Sequence, residues 1–204
     1  MTARDDILAR IRAHPRPPLP LPALTGPFIE FADRERQFLD VLTSVGGRGL
    51  VVEDRSQLEA AIQALPCLAG AGKIICTVAG LPPGNCDPSA VADPHELADL
   101  DVAVLPGEFA VAENAAVWVT DRELRQRAAY FLTQHLVLVV PRAEIVDHLH
   151  QAYERLRFDG PGYGLFISGP SKTADIEQSL VIGAHGPRSL TVLLVGPGRM
   201  MNDE

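Results

Sequence analysis

Cysteine is scarce in this 204-residue chain. The three present, Cys67, Cys76 and Cys86, are odd in number and form no Cys-x-x-Cys pair. That argues against a disulfide framework and leaves the chain without the usual local signature for zinc or an iron–sulfur cluster. Positive charge is also short. Eighteen Lys and Arg against 26 Asp and Glu give a net charge of −8, and the sequence has no basic cluster, so no nucleic-acid partner is expected. No apolar run approaches the roughly 20 residues of a membrane helix. Residues 1–12 lack the apolar stretch of a secretory signal. The expectation is a cytoplasmic protein without membrane insertion. Also missing are an internal repeat, a glycine fingerprint that opens a helix, a Gly-x-Ser-x-Gly elbow and a His-Glu-x-x-His helix.

What is present is an ordinary globular composition, 47% hydrophobic and 22% charged, in a chain long enough for one α/β domain with a small appendage. Residues 1–27 read as an N-terminal arm. It begins with an amphipathic helix over 4–12, with Ile7, Leu8 and Ile11 on one side. A proline-rich extended segment from Pro15 to Pro27 follows. Residues 28–196 read as the domain and 197–204 as a flexible tail. The pattern predicts a helix from Phe28 to Val45, stopped by Gly46-Gly47. Ser56 to Glu59 has capping-box spacing and opens a helix with Leu58, Ile62 and Leu65 inward. Strands are predicted at Leu50–Val52, Ile74-Ile75, Val102–Leu105, Val117–Val119, Leu136–Val140, Leu165–Ile167 and Leu190–Val195. A further helix after Pro141 carries Ile145, Leu149, Ala152 and Leu156 at helical spacing. Short apolar strands separated by helices predict an α/β fold, an open, mostly parallel sheet with helices on both faces. Ligands of such sheets bind beyond the carboxyl ends of the strands.

The segment from Gly164 to Glu177 reads as a buried strand, a tight turn at Gly169-Pro170 and the first turn of a helix. Ser171, Lys172 and Thr173 bring hydroxyls and a cation to that turn, and Asp175 and Glu177 suit a helix start. Unpaired amides there could hold an anion; a well-capped helix start is the plainer reading. Glu113, flanked by small apolar residues, is a candidate base or nucleophile with a raised pKa, or else a glutamate bonded to loop backbone. His185, between two glycines, could donate to an oxyanion or move a proton near neutral pH, or fix a turn. Arg188 could clamp a carboxylate or phosphate. His135 reads as sheet-edge structure. His148 and His150, two apart on a predicted helix, should diverge and share no metal. The catalytic candidates are thus Glu113 and His185. The anion-binding candidates are Gly169, Ser171, Lys172, Thr173, Asp175, Gly186 and Arg188. No metal ligand is expected.

Phe166 to Glu177, followed by Gly183-Ala184-His185-Gly186-Pro187-Arg188, resembles the LUD domain of the lactate-utilisation protein C family, formerly DUF162. Phe109 to Glu113 and the strand after His135 add weaker support, and the resemblance runs from about Gly107 to Val195. It implies a fold similar to the NagB/RpiA/CoA-transferase group. It also implies work beside iron–sulfur lactate-utilisation proteins in oxidising L-lactate to pyruvate, as a subunit of a quinone- or iron–sulfur-linked L-lactate dehydrogenase complex. This chain would be the cluster-free accessory subunit, with no cofactor of its own, and its sheet-edge cleft would hold a small carboxylate or phosphate. Many family members follow the acid with Thr-Gly-Thr, where this chain has Asn114-Ala115-Ala116. Two other functions stay open: a stand-alone enzyme similar to a CoA transferase or sugar-phosphate isomerase that uses Glu113, and an interaction module with a vestigial cleft.

Overall fold

Leu136, Leu138 and Val140 bury on one side of a strand, and Val137 and Val139 on the other. Such alternation within an all-apolar run is what a sheet covered on both faces requires. The computed structural model describes residues 2–14, 19–20, 22, 24–122, 124–157, 162–173 and 180–197. Its elements in chain order are α1 (Ala3–Ala13), α2 (Arg34–Ser44), β1 (Arg48–Val52), α3 (Leu58–Gln63), β2 (Ile74–Cys76), β3 (Val102–Pro106), β4 (Phe109–Val111) and β5 (Ala116–Thr120). They continue with α4 (Ala129–Leu132), β6 (His135–Pro141), β7 (Ile145–Val146), α5 (Leu149–Arg155), β8 (Gly164–Ile167), β9 (Lys172–Thr173), β10 (Val181–Ile182) and β11 (Ser189–Val195).

The predicted parallel sheet is there. β1, β11, β6, β3 and β2 lie side by side in that order, all parallel, with Leu190 opposite Leu136 and Val102 opposite His135. α2 covers one face through Phe38 and Leu42, and α3 covers the other through Leu58 and Ile62. Gly46 ends α2 as expected. Its φ of +82° lets Gly47 N reach Leu42 O at 2.8 Å and Gly46 N reach Thr43 O at 2.9 Å, a closure that favours glycine.

Other elements differ from expectation. The strands around Trp118 and Leu165 lie in a second sheet, ordered β7-β4-β5-β8, with β4–β5 and β5–β8 antiparallel. A parallel neighbour needs a crossover of about a dozen residues or more; the short turn 112–115 between β4 and β5 permits only a hairpin. One face of this sheet joins the α2-side core through Ala110 and Val117. The other face packs Phe109, Trp118 and Phe166 toward Ala152 of α5. Ile145 therefore sits in β7, and the helix expected from it begins at Leu149. α3 follows a short 3-10 turn capped by Asp54 rather than by Ser56: the Asp54 side chain accepts from Ser56 N at 2.8 Å.

α2 starts at Arg34 rather than Phe28, because Asp33, in an extended conformation, caps it and the Phe31 amide is bonded to Asp147 instead of to a helical carbonyl. The Asp147 side chain, with 0% exposure, accepts from Phe31 N at 2.9 Å and forms a close ion pair with Arg34 at 2.6 Å. Burial alone would raise its pKa; Arg34 and the Phe31 amide outweigh that and hold it below the ordinary carboxylate value. A lowered folded-state pKa means stability that is fully present above the unfolded value and lost as pH falls through the folded one. Asp147→Asn should cost about 1–3 kcal/mol at neutral pH. In urea unfolding the gap between wild type and variant should be flat near neutrality and narrow below about pH 4. A gap that widens in acid would contradict this role.

Candidate functional site

The motif segment leaves the second sheet through β8 and turns at Gly169. There φ is +73°, and a Cβ would lie 2.8 Å from the Val45 carbonyl oxygen, so both the backbone region and the space demand glycine. The chain then runs against the segment that enters β11. Ser171 N donates to Pro187 O at 2.9 Å, and Gly183 N donates to Ser171 O at 2.9 Å. β9 and β10 extend the contact, pairing Lys172 with Ile182 and Thr173 with Val181. A Cβ on Gly186 would lie 2.9 Å from Ser171 Cβ, so the two backbones approach as closely as glycine allows. Backbone hydrogen bonds thus stitch the two motif segments together. Lys172 and Thr173 are strand residues, not the first turn of a helix, and Asp175 and Glu177 lie outside the described residues.

Beside the stitch is a cleft of about 240 Å³, lined by residues 165–171, by residues 185–187, and by Tyr130, Phe131, Leu136 and Leu190. Leu136 and Leu190 are the second residues of β6 and β11. The cleft therefore opens at the amino ends of the parallel strands, not at their carboxyl ends as expected. Its walls are mainly apolar. Ser168 Oγ donates to Asn114 O at 2.6 Å, and Tyr130 OH donates to Thr120 O at 2.9 Å. Burial, reinforced by Asp121 and Glu108, pushes the Tyr130 phenol pKa upward, so it stays neutral. No carboxylate lines the cleft among the described residues. Such a site suits a small ligand with one polar end, and any proton transfer there would depend on His185.

The structure brings Gly169, Ser171, His185 and Gly186 together and sends the other candidates elsewhere. Glu113 is exposed in the β4–β5 turn. Its carboxylate accepts from Leu149 N at 3.0 Å at the start of α5, and its amide donates to Asp147 O, so the backbone-bonding reading describes it. The next turn residue but one, Ala115, is buried at φ 53°. Lys172 lies at the end of α2, where a Cβ on Gly46 would sit 3.7 Å from its Nζ, and the cation complements the helix dipole. Arg188 lines a separate open trough with Lys73, Asp101 and Gln134, each of which precedes a parallel strand. His135 bonds Ser189 Oγ through Nδ1 at 2.8 Å, as sheet-edge structure.

His148 caps α5 rather than lying within it, and its ring and that of His150 are 5.7 Å apart against Phe28. The two rings meet edge to face at an interplanar angle of 69° rather than diverging as expected. No cluster of three or more metal-ligating side chains occurs among the described residues. Burial pushes the Cys67 and Cys76 thiols up in pKa, away from the reactive thiolate. Tyr130 and Phe131 were not evident as site residues in the sequence. Their only local sign is an aromatic pair shortly before β6, on a helix of one turn.

Residues 93–195, just over half of the chain, match the family model of the LUD domain. This chain belongs to the LUD domain family. Lactate utilization protein C of Geobacillus kaustophilus (strain HTA426) is 33% identical over 109 residues, covering 50% of this LUD chain and 45% of that protein. Lactate utilization protein C of Shouchella clausii (strain KSM-K16) is 30% identical over 116 residues, covering 54% and 50%. The LUD chain thus spans about half the length of the curated relatives it matches. A crystal structure of a DUF162 family protein from Deinococcus radiodurans is similar in fold, with TM-score 0.60, 21% identity, and coverage of 80% of this chain and 96% of that one.

Gly169→Ala should lower stability by roughly 1–3 kcal/mol, since it combines left-handed strain with a clash. Gly70, also left-handed at φ +82° but with open space around it, supplies the control. Gly70→Ala should cost only the strain, about 1 kcal/mol. Thermal unfolding of both variants checks this, and equal losses would mean that Val45 does not constrain the turn.

Proposed function

We propose that this LUD protein is a cluster-free accessory subunit of a bacterial-type L-lactate oxidation system, and that the stitched cleft holds a small carboxylate. The observation that carries the reading is the convergence of both motif segments on one small cleft, at His185 and Ser171. The names of the curated relatives supply the system. A three-carbon carboxylate has an apolar methyl end for the Leu and Phe walls and a charged end for His185 and the Ser171 hydroxyl, where charge-assisted hydrogen bonds form. The cleft volume is below the roughly 300–1,000 Å³ of drug-sized sites, in keeping with a ligand that small.

Oxidation of lactate needs an electron acceptor. In this reading the acceptor clusters reside in the partner iron–sulfur proteins, consistent with a chain that has no Cys-x-x-Cys pair. The N-terminal arm is the docking element. α1 buries none of its residues and leaves Ile7 59% and Ile11 64% exposed, although its capping box is complete. The stand-alone enzyme reading has less support, because Glu113 is bonded to Leu149 N and does not line the cleft.

Co-expression with iron–sulfur lactate-utilisation proteins should yield a complex that residues 1–27 are needed to hold. A deletion strain should fail to grow on L-lactate. L-lactate or pyruvate should raise the Tm of the protein, as a ligand of the folded state does, and His185→Ala should cancel the shift. Normal growth of the deletion strain on L-lactate would refute the system assignment, and an unchanged shift in the variant would refute the site.

A further inference from the structure

The edge opposite the stitched cleft carries a cavity of about 440 Å³. It lies beyond the carboxyl ends of the parallel strands, and all five contribute to it. Arg55 follows β1, Val78 and Ala79 follow β2, Gly107 follows β3, Ala143 follows β6 and Gly196 follows β11. The loops leaving a parallel sheet diverge at this end, which leaves a crevice there. The remaining wall is apolar, from Val139, Val195 and the prolines that end β3 and β6.

Arg55 is the one charged residue lining this cavity among the described residues. Its guanidinium donates to Ala79 O, on a turn that Leu81 N closes to Val78 O at 3.2 Å with Gly80 at φ +77°. That bond uses one of the five N–H donors of an arginine. No carboxylate among the described residues lies within ion-pair distance of Arg55. Arg142, beside the cavity residue Ala143, differs: Glu35 and Glu53 both pair with it. In a chain of net charge −8, a guanidinium that pairs with no acid among the described residues, placed against an apolar cavity, favours anions locally.

The geometry points to a second ligand site at this edge, for an amphipathic anion whose carboxylate or phosphate head meets Arg55 and whose aliphatic body packs on Val78, Val139 and Val195. The site is separate from the stitched cleft and does not depend on the lactate reading. Its occupant is larger and less polar than a three-carbon acid.

Hexanoate and hexyl phosphate are the probes, with hexanol as body alone and inorganic phosphate as head alone. Titrated into the full chain and followed by amide NMR, at least one of the two amphiphiles should shift Val78, Gly107 and Gly196 and leave Gly169 and Gly186 in place. The tighter of the two identifies the head group. Hexanol and inorganic phosphate should bind at least tenfold more weakly. Arg55→Gln, at an exposed position, should weaken binding tenfold or more, and Ala143→Phe, also exposed, should abolish it by filling the cavity. Absence of binding by either amphiphile overturns the proposal. So do shifts confined to Gly169 and Gly186, hexanol binding as tightly as hexanoate, or full affinity in Arg55→Gln. Shifts confined to Gly169 and Gly186 would place the amphiphile in the His185 cleft; the other outcomes do not bear on that cleft.

Discussion

The hydrogen bond from the Ser171 amide to the Pro187 carbonyl ties two sheets together. Ser171 follows the last strand of the second, mixed sheet, and Pro187 precedes an interior strand of the parallel one. The bond from Gly183 N to Ser171 O fixes the same contact from the other side. Both are backbone bonds, so what they ask of the sequence is shape. Gly169 must turn against Val45, and Gly186 must let Ser171 approach. Both motif segments thus bring two main chains into register. The cleft between them is a consequence of that register, and His185 gains its place at the cleft from the same strand entry.

The parallel sheet was legible because its strands are apolar on both faces, as in Val102–Leu105 and Leu190–Val195, and the end of α2 was legible because Gly46-Gly47 is a local closure. The second sheet was not. β4 and β7 have three and two residues, too few for alternation to show, and Ile145 kept helical spacing with Leu149 and Ala152 by coincidence. Gly169, Ser171, His185 and Gly186 line one cleft, because they lie close in sequence to the stitch. Lys172 and Arg188 were misplaced because a side chain's direction depends on its element, and a strand at Lys172 aims it differently from a helix start. Glu113 looked buried among small residues, yet the tight turn that carries it faces outward. Tyr130 and Phe131 reach the cleft only through tertiary packing.

A parallel sheet has two chemically different ends, and in this molecule a cavity opens at each. At the amino ends the entering segments are held together by the stitch, and the cleft is small, about 240 Å³. At the carboxyl ends the loops diverge around Arg55, and the cavity is wider. The distance between them is set by strand length, since Leu136 borders one and Val139 the other. The motif was expected at the carboxyl edge of the sheet; the fold places it at the amino edge.

Native-state hydrogen exchange at the Ser171 and Gly183 amides tests the stitch most directly. The account predicts that both exchange orders of magnitude more slowly than open loop amides and share one opening free energy, as members of one cooperative unit do. Exchange at loop rates, or widely different opening energies for the two, would contradict it.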